Sequence, residues 1–244
     1  MFIWYKIYRI RIVKEVIFVI TSFNFEKYKN HLFTKNIINV IIDVNIFEKV
    51  KYMELYQIDN EIKQCNDCGN LVEKFNNDKT VSIGNNNDIV ILGEAPANNG
   101  WRKSGLAWYD QNNNLIPSGV ILQKLLKIIG YSLEDTYFLE AIKCYPKDRK
   151  YLYKCSNNCK KYLLEQLSII NPQLILTLGD ISTRTLLDIK YSKFSKVVGQ
   201  IFNYNGFDVI PIYHPSPISP LSYTGNIDIF ENVIKEKVET LKIK

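Results

Sequence analysis

The sequence predicts an α/β protein of three layers, α/β/α, around a central and mainly parallel sheet of four strands. Short apolar runs of strand length alternate along the chain with longer segments of helical spacing, which is the pattern of a parallel sheet covered by helices. The runs are apolar almost without interruption, as expected of strands buried on both faces. With 244 residues, 46% of them hydrophobic, the chain can fill such a core.

Four apolar runs are predicted as the strands of this sheet. The first ends in a glycine, and the last is interrupted by Pro211, which predicts a strand that is short or lies near an edge. In chain order the predicted strands are Asp88–Gly93, Tyr137–Lys143, Leu174–Leu178 and Val209–Tyr213.

Five segments are predicted as helices from their spacing and their end signals. Pro117 starts the second of them, and Asn171 with Pro172 ends the third. In chain order the predicted helices are Met53–Lys63, Pro117–Ile129, Cys159–Ile170, Ile181–Leu187 and Ile227–Leu241.

The composition excludes several classes of protein. Apolar and β-branched residues are too plentiful for a collagen-like, low-complexity or disordered chain. No apolar run approaches the roughly 20 residues of a membrane-spanning helix, and no signal-peptide cleavage site is evident after Ile20. The formal net charge of +6 mildly favours an anionic partner such as nucleic acid.

Residues 1–52 differ from the rest of the chain. They contain no Gly or Pro, and their nine Lys and Arg against four acids carry +5 of the net charge of +6. Two interpretations remain open: an appendage that is at least partly ordered, or an upstream extension that precedes a natural start at Met53. We favour the second, because the α/β domain of residues 53–244 begins almost at Met53.

The five cysteines lie in or beside the loops that follow the predicted strands, where the sites of parallel sheets form. The odd number and the size of the domain argue against a disulfide framework. Buried free thiols would explain one or two cysteines, but not a C-x2-C pair joined by three more. Thiolates at short spacing suit a tetrahedral zinc ion or a 4Fe–4S cluster, and composition does not choose between them. The five are Cys65, Cys68, Cys144, Cys155 and Cys159.

The chain contains, in order, the motifs CNDC, ILGEAP, IKC, CKKYLLEQL, PQLILTLGD and YHPS. Together they resemble the motifs of the iron–sulfur uracil-DNA glycosylases, family 4 of the uracil-DNA glycosylase superfamily. The resemblance runs from about Cys65 to about Pro220. It implies a DNA-repair enzyme that flips uracil, or a related deaminated base, out of DNA and hydrolyses its N-glycosidic bond. No lysine suggests an additional strand-cleaving activity.

The resemblance implies that four cysteines hold a 4Fe–4S cluster, with zinc as the alternative. The implied ligands are Cys65, Cys68, Cys144 and Cys159. Cys159 is preferred to Cys155 because it opens the segment CKKYLLEQL, which matches a helix start in the family, and Cys155 would then be a free thiol. The stretch between Cys144 and Cys159 is rich in Lys, Arg and Tyr and includes Arg149, so it would contact DNA phosphates and bases.

For the base, the resemblance implies a pocket with a stacking ring and groups that read the base edge. Trp108 would stack on the flipped base, with Trp101 as the second choice, and Glu140 stands where the family has a uracil-reading asparagine. The backbone that approaches the uracil and the deoxyribose would belong to Gly93, Glu94, Ala95 and Pro96.

Two positions depart from the relatives. Ala95 stands where some members of the superfamily have a water-activating aspartate, so Glu94 would orient the water or the bond would break dissociatively. An asparagine offers uracil a donor and an acceptor, whereas Glu140 offers only acceptors unless it is protonated. We therefore hypothesise that Glu140 favours a base with an amino group, relaxes selectivity or weakens activity; alternatively, its side chain points elsewhere.

The motif His214-Pro215-Ser216-Pro217 implies the second half of the site. His214 would hydrogen-bond uracil O2 as negative charge develops on the departing base. Ile218 would fill the gap left by the flipped nucleotide, with Leu221 as the second choice. Ser216 and Pro217 would lie against the DNA backbone.

The implied partner is DNA that contains uracil or a related lesion. We further expect a monomer without membrane contact, located inside the cell, in the cytoplasm or wherever the DNA is. Residues 53–244 carry only +1 of the net charge, so the motifs point to DNA more strongly than bulk basicity does. Two rival interpretations remain: a non-catalytic iron–sulfur DNA-binding member of the same fold, and a zinc-stabilised α/β protein of another function.

Overall fold

The computed structural model of the protein describes residues 49–74, 80–81, 84, 88–98 and 100–241. The chain divides into two units, Met1–Glu54 and Leu55–Lys244, and the architecture below is that of the second. Residues 1–48 lie outside the described residues, so the interpretation of residues 1–52 as an extension and the boundary at Met53 stay predictions.

Helical segments alternate with the strands, as the sequence predicts. The first, α1, covers residues 49–64. The others are α2 Trp101–Ser104, α3 Pro117–Ile128, α4 Leu152–Ile170, α5 Asp180–Leu187, α6 Thr224–Ile229, a π-helical turn Phe230–Ile234 and α7 Lys235–Leu241. Short 3-10 helices occupy Gly69–Leu71, Leu133–Asp135, Arg149–Tyr151 and Phe194–Lys196. None of the described helices combines the length and the apolar character needed to cross a membrane.

The strands of the described residues form two sheets. They are β1 Val72–Glu73, β2 Ile89–Gly93, β3 Tyr137–Glu140, β4 Tyr145–Pro146, β5 Leu174–Leu178, β6 Phe202–Tyr204 and β7 Phe207–Ile212. The central sheet has five strands in the order β3-β2-β5-β7-β6, of which the first four are parallel. Strand β6 runs antiparallel to β7 at one edge, and β1 pairs separately with β4.

Alternate side chains of the parallel strands fill two cores, one on each face of the sheet. On one face Ile89 and Ile91 of β2 pack with α3, the π-helical turn and α7. On the other face Val90 and Leu92 pack with α4 and α5. Because all four side chains are fully buried, helices cover the sheet on both faces, and the predicted three-layer α/β/α class is confirmed.

The predicted count of four strands is one too few for the central sheet. The fifth strand, β6, reaches β7 through a tight turn in which Asn205 and Gly206 have φ values of +51° and +91°. Both central residues of a type I′ hairpin need positive φ, which Asn and Gly tolerate. Strand β7 covers six residues and is therefore not short. Pro211 lies beyond the residues that pair with β6, so its missing N–H leaves that ladder intact.

Helix α4 begins earlier than the sequence predicts. It starts at Leu152 and not at Cys159, so much of the predicted Lys-, Arg- and Tyr-rich loop is helical. The prediction that Cys159 opens a helix is therefore wrong. Cys155 and Cys159, four residues apart, share the helix face that packs with Val72 and Ile142, and this burial holds the first turns of α4 in place.

The four parallel strands end at the same edge of the sheet. Strand β2 ends at Gly93, β3 at Glu140 and β5 at Leu178, while β7 ends two residues before His214. Gly93 and Glu140 are direct partners in the register of β2 and β3. The loops that carry the predicted site residues therefore begin side by side, at the edge where parallel α/β sheets form their sites.

Candidate active site and cysteine cavity

A cavity opens at the carboxyl edge of the sheet. It is lined by six residues of the predicted site: Gly93, Glu94, Ala95, Trp108, Glu140 and His214. Trp101, the second choice for the stacking ring, lines it as well. So does Phe138, which the sequence analysis did not identify. We call this space the base cavity.

The carboxyl of Glu140 lies in the wall of the base cavity and is 5% exposed. A Cβ atom built at Gly93 would clash with Glu140 Oε2, so glycine at this position lets the carboxyl lie where it does. Among the described residues, Oε2 has no hydrogen-bond partner. Burial raises the pKa of Glu140 well above its ordinary value; the charge of Lys143 opposes this rise and that of Glu94 adds to it. The structure thus excludes the alternative that this side chain points away from the site.

Three aromatic rings line the base cavity. The ring centroid of Phe138 is 4.6 Å from that of Trp108 and 5.0 Å from that of Trp101. Phe138 and Glu140 are two residues apart on β3, so ring and carboxyl lie on the same face of the strand. This spacing is the signal in the sequence from which Phe138 could have been predicted.

Trp108 has an unusual backbone conformation, with φ of +69°. The left-handed region costs a bulky residue on the order of 1–2 kcal/mol, so neighbouring contacts must hold it there. The Ile116 N–H donates to the Trp108 carbonyl at 2.8 Å. A Cβ atom built at Gly119 would lie 2.9 Å from Trp108 Cβ, so glycine in α3 permits the close approach. Trp108 Nε1 is buried and has no partner among the described residues.

His214 follows β7, and a buried asparagine of α6 holds the chain beside it. Asn226, which is fully buried, accepts a hydrogen bond from the Tyr213 N–H and donates one to the Tyr213 carbonyl, both at 2.9 Å. The Ser216 N–H donates to the His214 carbonyl at 2.7 Å. Burial lowers the pKa of His214, and the charge of Arg149 lowers it further, so the imidazole is neutral at pH 7.

Glu94 and Arg149 form a bidentate ion pair beside the base cavity. Arg149 Nη1 and Nη2 donate to the two carboxylate oxygens of Glu94 at 3.2 and 3.3 Å. Both residues also line a wide groove together with His214 and Ser216. Because the Arg149 side chain is 79% exposed, the pair contributes at most about 1 kcal/mol, and another anion can replace Glu94.

The remaining predicted DNA-contacting residues lie around the base cavity and not in its wall. Pro96 lines a neighbouring depression. Ile218 is 90% exposed, whereas Leu221 is 43% exposed. The Ile218 N–H donates to Ser216 Oγ at 3.4 Å, and Pro217 between them is exposed. The loop after His214 therefore presents one apolar side chain almost entirely to solvent.

A second, small cavity is lined by the four predicted ligand cysteines. These are Cys65, Cys68, Cys144 and Cys159, and we call the space the cysteine cavity. Cys155 is fully buried but is not among the lining residues. Cys155 packs in the same buried cluster as Cys68, Cys144 and Cys159, so it differs from the predicted ligands only in not lining the cavity.

Two donors point at sulfur atoms of the cysteine cavity. The Lys143 N–H donates to Cys159 Sγ and Asn158 Nδ2 donates to Cys68 Sγ, both at 3.4 Å. Burial raises the pKa of Cys144 to about 12 and that of Cys159 to about 11. Ionising several of these thiols together is therefore unfavourable unless a bound cation offsets their charge, as a metal group does.

The arrangement of the cysteines bears on which metal group fits. Among the described residues, no group of three or more His, Cys, Asp or Glu is placed to hold one metal ion. A zinc ion needs four donors within about 2.3 Å of one point. In a 4Fe–4S cluster each thiolate binds a different iron atom, so the sulfurs stand farther apart. The four cysteine thiols that line this cavity are a donor set that suits either group.

A buried hydrogen-bond network connects the two cavities. Lys143, 1% exposed, donates from Nζ to the Glu140 carbonyl at 2.6 Å and to Gln166 Oε1 at 2.5 Å. Gln166 Nε2 in turn donates to Thr80 Oγ1 at 2.9 Å. Lys143 also precedes Cys144 and lines the cysteine cavity. This lysine is not predicted from the sequence, because nothing in a lone Lys at a strand end indicates that it is buried.

A sequence profile of the uracil DNA glycosylase superfamily matches residues 81–236 of the chain. This span includes all predicted residues of the base cavity, but begins after Cys65 and Cys68.

Three curated proteins with the name type-4 uracil-DNA glycosylase are similar to this chain. The Thermotoga maritima protein is 31% identical over 169 residues, which cover 67% of this chain and 82% of that protein. The Saccharolobus solfataricus protein is 30% identical over 173 residues, with 65% and 74% covered. The Archaeoglobus fulgidus protein is 28% identical over 177 residues, with 67% and 82% covered.

Proposed function

Since the chain belongs to the uracil-DNA glycosylase superfamily, we propose that it is a DNA-repair hydrolase that breaks the N-glycosidic bond of uracil, or of a related deaminated base, in DNA. Its type-4 relatives carry the name of this activity. The base cavity is the observation that carries the proposal, because an aromatic wall, a buried carboxyl and a neutral imidazole meet there. These are the groups that a flipped base needs for stacking, recognition and departure.

The aromatic wall supports the binding of a flipped base. A glycosylase must extrude its target base from the stack, which costs a few kcal/mol. Stacking on an aromatic side chain contributes about 1–3 kcal/mol per base. Trp108 and Phe138, with ring centroids 4.6 Å apart, offer two such rings, and Gly93 leaves its backbone open to the base. The wall can therefore offset a large part of the cost of flipping.

His214 would stabilise the base as it departs. Breaking the N-glycosidic bond leaves negative charge on the uracil, part of it on O2. A neutral imidazole can donate its N–H to this oxygen. The two hydrogen bonds between the Asn226 side chain and the Tyr213 backbone hold the segment from which His214 projects. One donor of this kind typically contributes about 10²–10³ in rate, because it acts where charge develops.

Glu94 would hold the attacking water, since Ala95 has no carboxylate to do so. In the DNA-free protein the Glu94 carboxylate is bonded to Arg149. Phosphates form strong, charge-assisted hydrogen bonds with guanidinium groups. A DNA phosphate at the groove would therefore draw Arg149 away and release Glu94 for the water.

The loop after His214 would contact the DNA itself. Ser216 lines the groove and can bind a phosphate through its hydroxyl, with Pro217 beside it. Ile218, almost fully exposed, would enter the gap that the flipped nucleotide leaves, as apolar wedges do in kinked DNA.

We assign the cysteine cavity to a 4Fe–4S cluster, with Cys65, Cys68, Cys144 and Cys159 as ligands. When bound, the cluster ties the loop after α1, the end of β3 and helix α4 together and supplies the positive charge that four buried thiolates require. It takes no part in the bond breaking. Iron at about four atoms per chain in anaerobically purified protein is the expected content; zinc at one atom per chain would contradict the assignment.

The proposed function is tested by comparing wild type with His214→Ala on oligonucleotides that contain one uracil, single- and double-stranded. Free uracil is measured in single-turnover reactions, and DNA binding is measured separately. We expect the rate of release to fall about 10²–10³-fold in His214→Ala while the Kd for DNA stays the same. A wild type that binds this DNA but releases no base would favour the non-catalytic interpretation.

A further inference from the structure

The residue that faces the base edge in this chain is a carboxyl, and its surroundings determine the form in which it acts. On the basis of the function proposed above, we propose that Glu140 reads the flipped base as a neutral carboxylic acid. The substrate class is then a base that presents an N–H donor beside a carbonyl acceptor, as uracil and hypoxanthine do.

The position of Glu140 is the first support. Glu140 is 5% exposed, and its Oε2 lies beside the backbone of Gly93. Oε2 has no hydrogen-bond partner among the described residues, and neither has Trp108 Nε1 in the same cavity. Buried polar atoms are nearly always paired, so two that remain unpaired in one cavity indicate a ligand that completes them.

The charges around Glu140 are the second support. Lys143 uses its Nζ for the Glu140 carbonyl and for Gln166, not for the carboxyl. Glu94 is bonded to Arg149, and His214 is neutral. Among the described residues, the Glu140 carboxyl therefore takes part in no ion pair. An isolated buried carboxylate is so costly that the group takes up a proton, in agreement with the raised pKa of Glu140.

The neutral form matches the edge of uracil. A protonated carboxyl has one O–H donor and one carbonyl acceptor. The O–H can donate to uracil O4 while the carbonyl accepts from N3–H, as an asparagine amide would do. The edge of hypoxanthine has the same order of donor and acceptor. A carboxyl can thus replace the amide without a change in the class of base.

The ionised form would do the opposite. With acceptors only, it would accept from N3–H but repel O4, and it would add negative charge beside a base that leaves as an anion. It would instead suit an edge with two adjacent N–H donors, as guanine has. The two forms of Glu140 therefore predict different substrates and different dependence on pH.

The experiment compares wild type, Glu140→Gln and Glu140→Ala. Glutamine has the size of glutamate and keeps a donor and an acceptor, but it cannot ionise. Uracil release is measured in single-turnover reactions from about pH 5 to about pH 9, and the wild-type rate should fall about tenfold per pH unit above the pKa of Glu140. Glu140→Gln should lack this alkaline fall. Below the pKa of Glu140, the rate of uracil release by Glu140→Ala should be about 10- to 100-fold lower than that of the wild type, because two hydrogen bonds to the base are lost.

Glu165→Gln is the matched control. Its carboxyl lies on α4 outside the base cavity, and burial together with Glu61 raises its pKa as well. This variant should keep the wild-type profile of rate against pH. A Glu140→Gln protein that is as inactive as Glu140→Ala would overturn the proposal. If Glu140→Gln and Glu140→Ala both kept the wild-type profile of rate against pH, the proposal would be overturned too.

A second measurement separates this proposal from the proposed function. An infrared difference spectrum of the DNA-free wild type against Glu140→Gln, at pH 7, should show the carbonyl band of a neutral carboxylic acid in the wild type alone. The absence of this band overturns the neutral acid, whatever the enzyme releases. If the band is present but the wild type releases no base, the proposed function fails and the protonation of Glu140 stands.

Discussion

The base cavity and the cysteine cavity adjoin one short segment, Glu140–Cys144, yet their polar atoms are arranged in opposite ways. In the base cavity Glu140 Oε2 and Trp108 Nε1 are buried without partners among the described residues. In the cysteine cavity the Lys143 N–H and Asn158 donate to sulfur. An unpaired buried polar atom costs about 1–3 kcal/mol. The first cavity is therefore incomplete until a ligand arrives, whereas the second is prepared for a group that stays.

Because of this difference, we expect mutations in the cysteine cavity to affect stability and mutations in the base cavity to affect the rate of reaction. Changes in the cysteine cavity should remove the bound group and with it the fold around it. Changes in the base cavity should alter rates while the fold persists, and one of them should even stabilise the protein. The predictions below test this division, beginning with the largest effect.

The first prediction concerns the choice of ligands, through Cys144→Ser and Cys155→Ser. A metal group bound only by the folded chain contributes on the order of 10 kcal/mol. Cys144→Ser should therefore lose the bound iron, the broad visible absorption and the cooperative thermal transition. Cys155→Ser removes a thiol outside the cavity wall and should keep all three. Iron per chain and Tm are measured on anaerobically purified proteins; equal iron loss in both variants would contradict the assigned ligands.

The second prediction concerns the stacking ring, through Trp108→Ala and Trp101→Ala. Loss of a ring that stacks on the base should weaken binding of uracil-containing DNA about 10- to 100-fold relative to undamaged DNA. We expect this loss for Trp108→Ala and a smaller one for Trp101→Ala, and both proteins should retain their iron. Fluorescence anisotropy with the two DNAs measures the ratio. A larger effect of Trp101→Ala would exchange the two assignments.

The third prediction is that Glu140→Gln stabilises the protein at high pH. The pKa of Glu140 in the folded protein is raised above the unfolded value of about 4.3. The contribution of this group to stability is therefore fully present below the unfolded pKa and is lost as the pH rises through the folded pKa. Glutamine does not titrate. The Tm of Glu140→Gln should thus increasingly exceed that of the wild type with rising pH. A difference in Tm that does not change with pH would show that Glu140 is ionised in the folded protein.

The smallest effect is expected from Arg149→Ala. One lost phosphate contact should weaken DNA binding several-fold and reduce the slope of log K against log salt by about 1. Lys235→Ala is the control, because Lys235 is an exposed residue of α7 that lies outside the groove and outside the stretch between Cys144 and Cys159. Titrations at several salt concentrations measure the slopes. Equal slopes for wild type and Arg149→Ala would mean that Arg149 stays with Glu94 in the complex.

The parts of the fold that were predictable depend on local pattern alone. Strands β2 and β5 are predicted to within one residue, because a continuous apolar run next to a glycine needs no tertiary context. Strand β6 has only three residues, although Asn205 and Gly206 are a hairpin signal that would have revealed it. In the first turns of α4 only Leu152, Cys155 and Cys159 have helical spacing, and one leucine with two cysteines is a weak pattern. These turns are helical because Cys155 packs against Val72 and Ile142, two residues that are distant from it in the sequence.

The candidate site shows the same limit. The motifs suffice to predict the six residues that meet in the base cavity, because each motif follows a strand that ends at one edge. Phe138 is recognisable only once its two-residue spacing from Glu140 is considered. Asn226 and Lys143 act through tertiary hydrogen bonds to Tyr213 and to the Glu140 carbonyl. No pattern along the chain indicates such contacts.

The most direct test of the central claim is the chemical identification of what the wild type releases. Anaerobically purified protein is incubated with oligonucleotides that contain uracil, hypoxanthine or cytosine at one position, and the free bases are identified by mass spectrometry. The account predicts free uracil, an abasic site and an uncut strand, with no release of cytosine. DNA that is bound but yields no free base, or that yields cytosine before uracil, would contradict it.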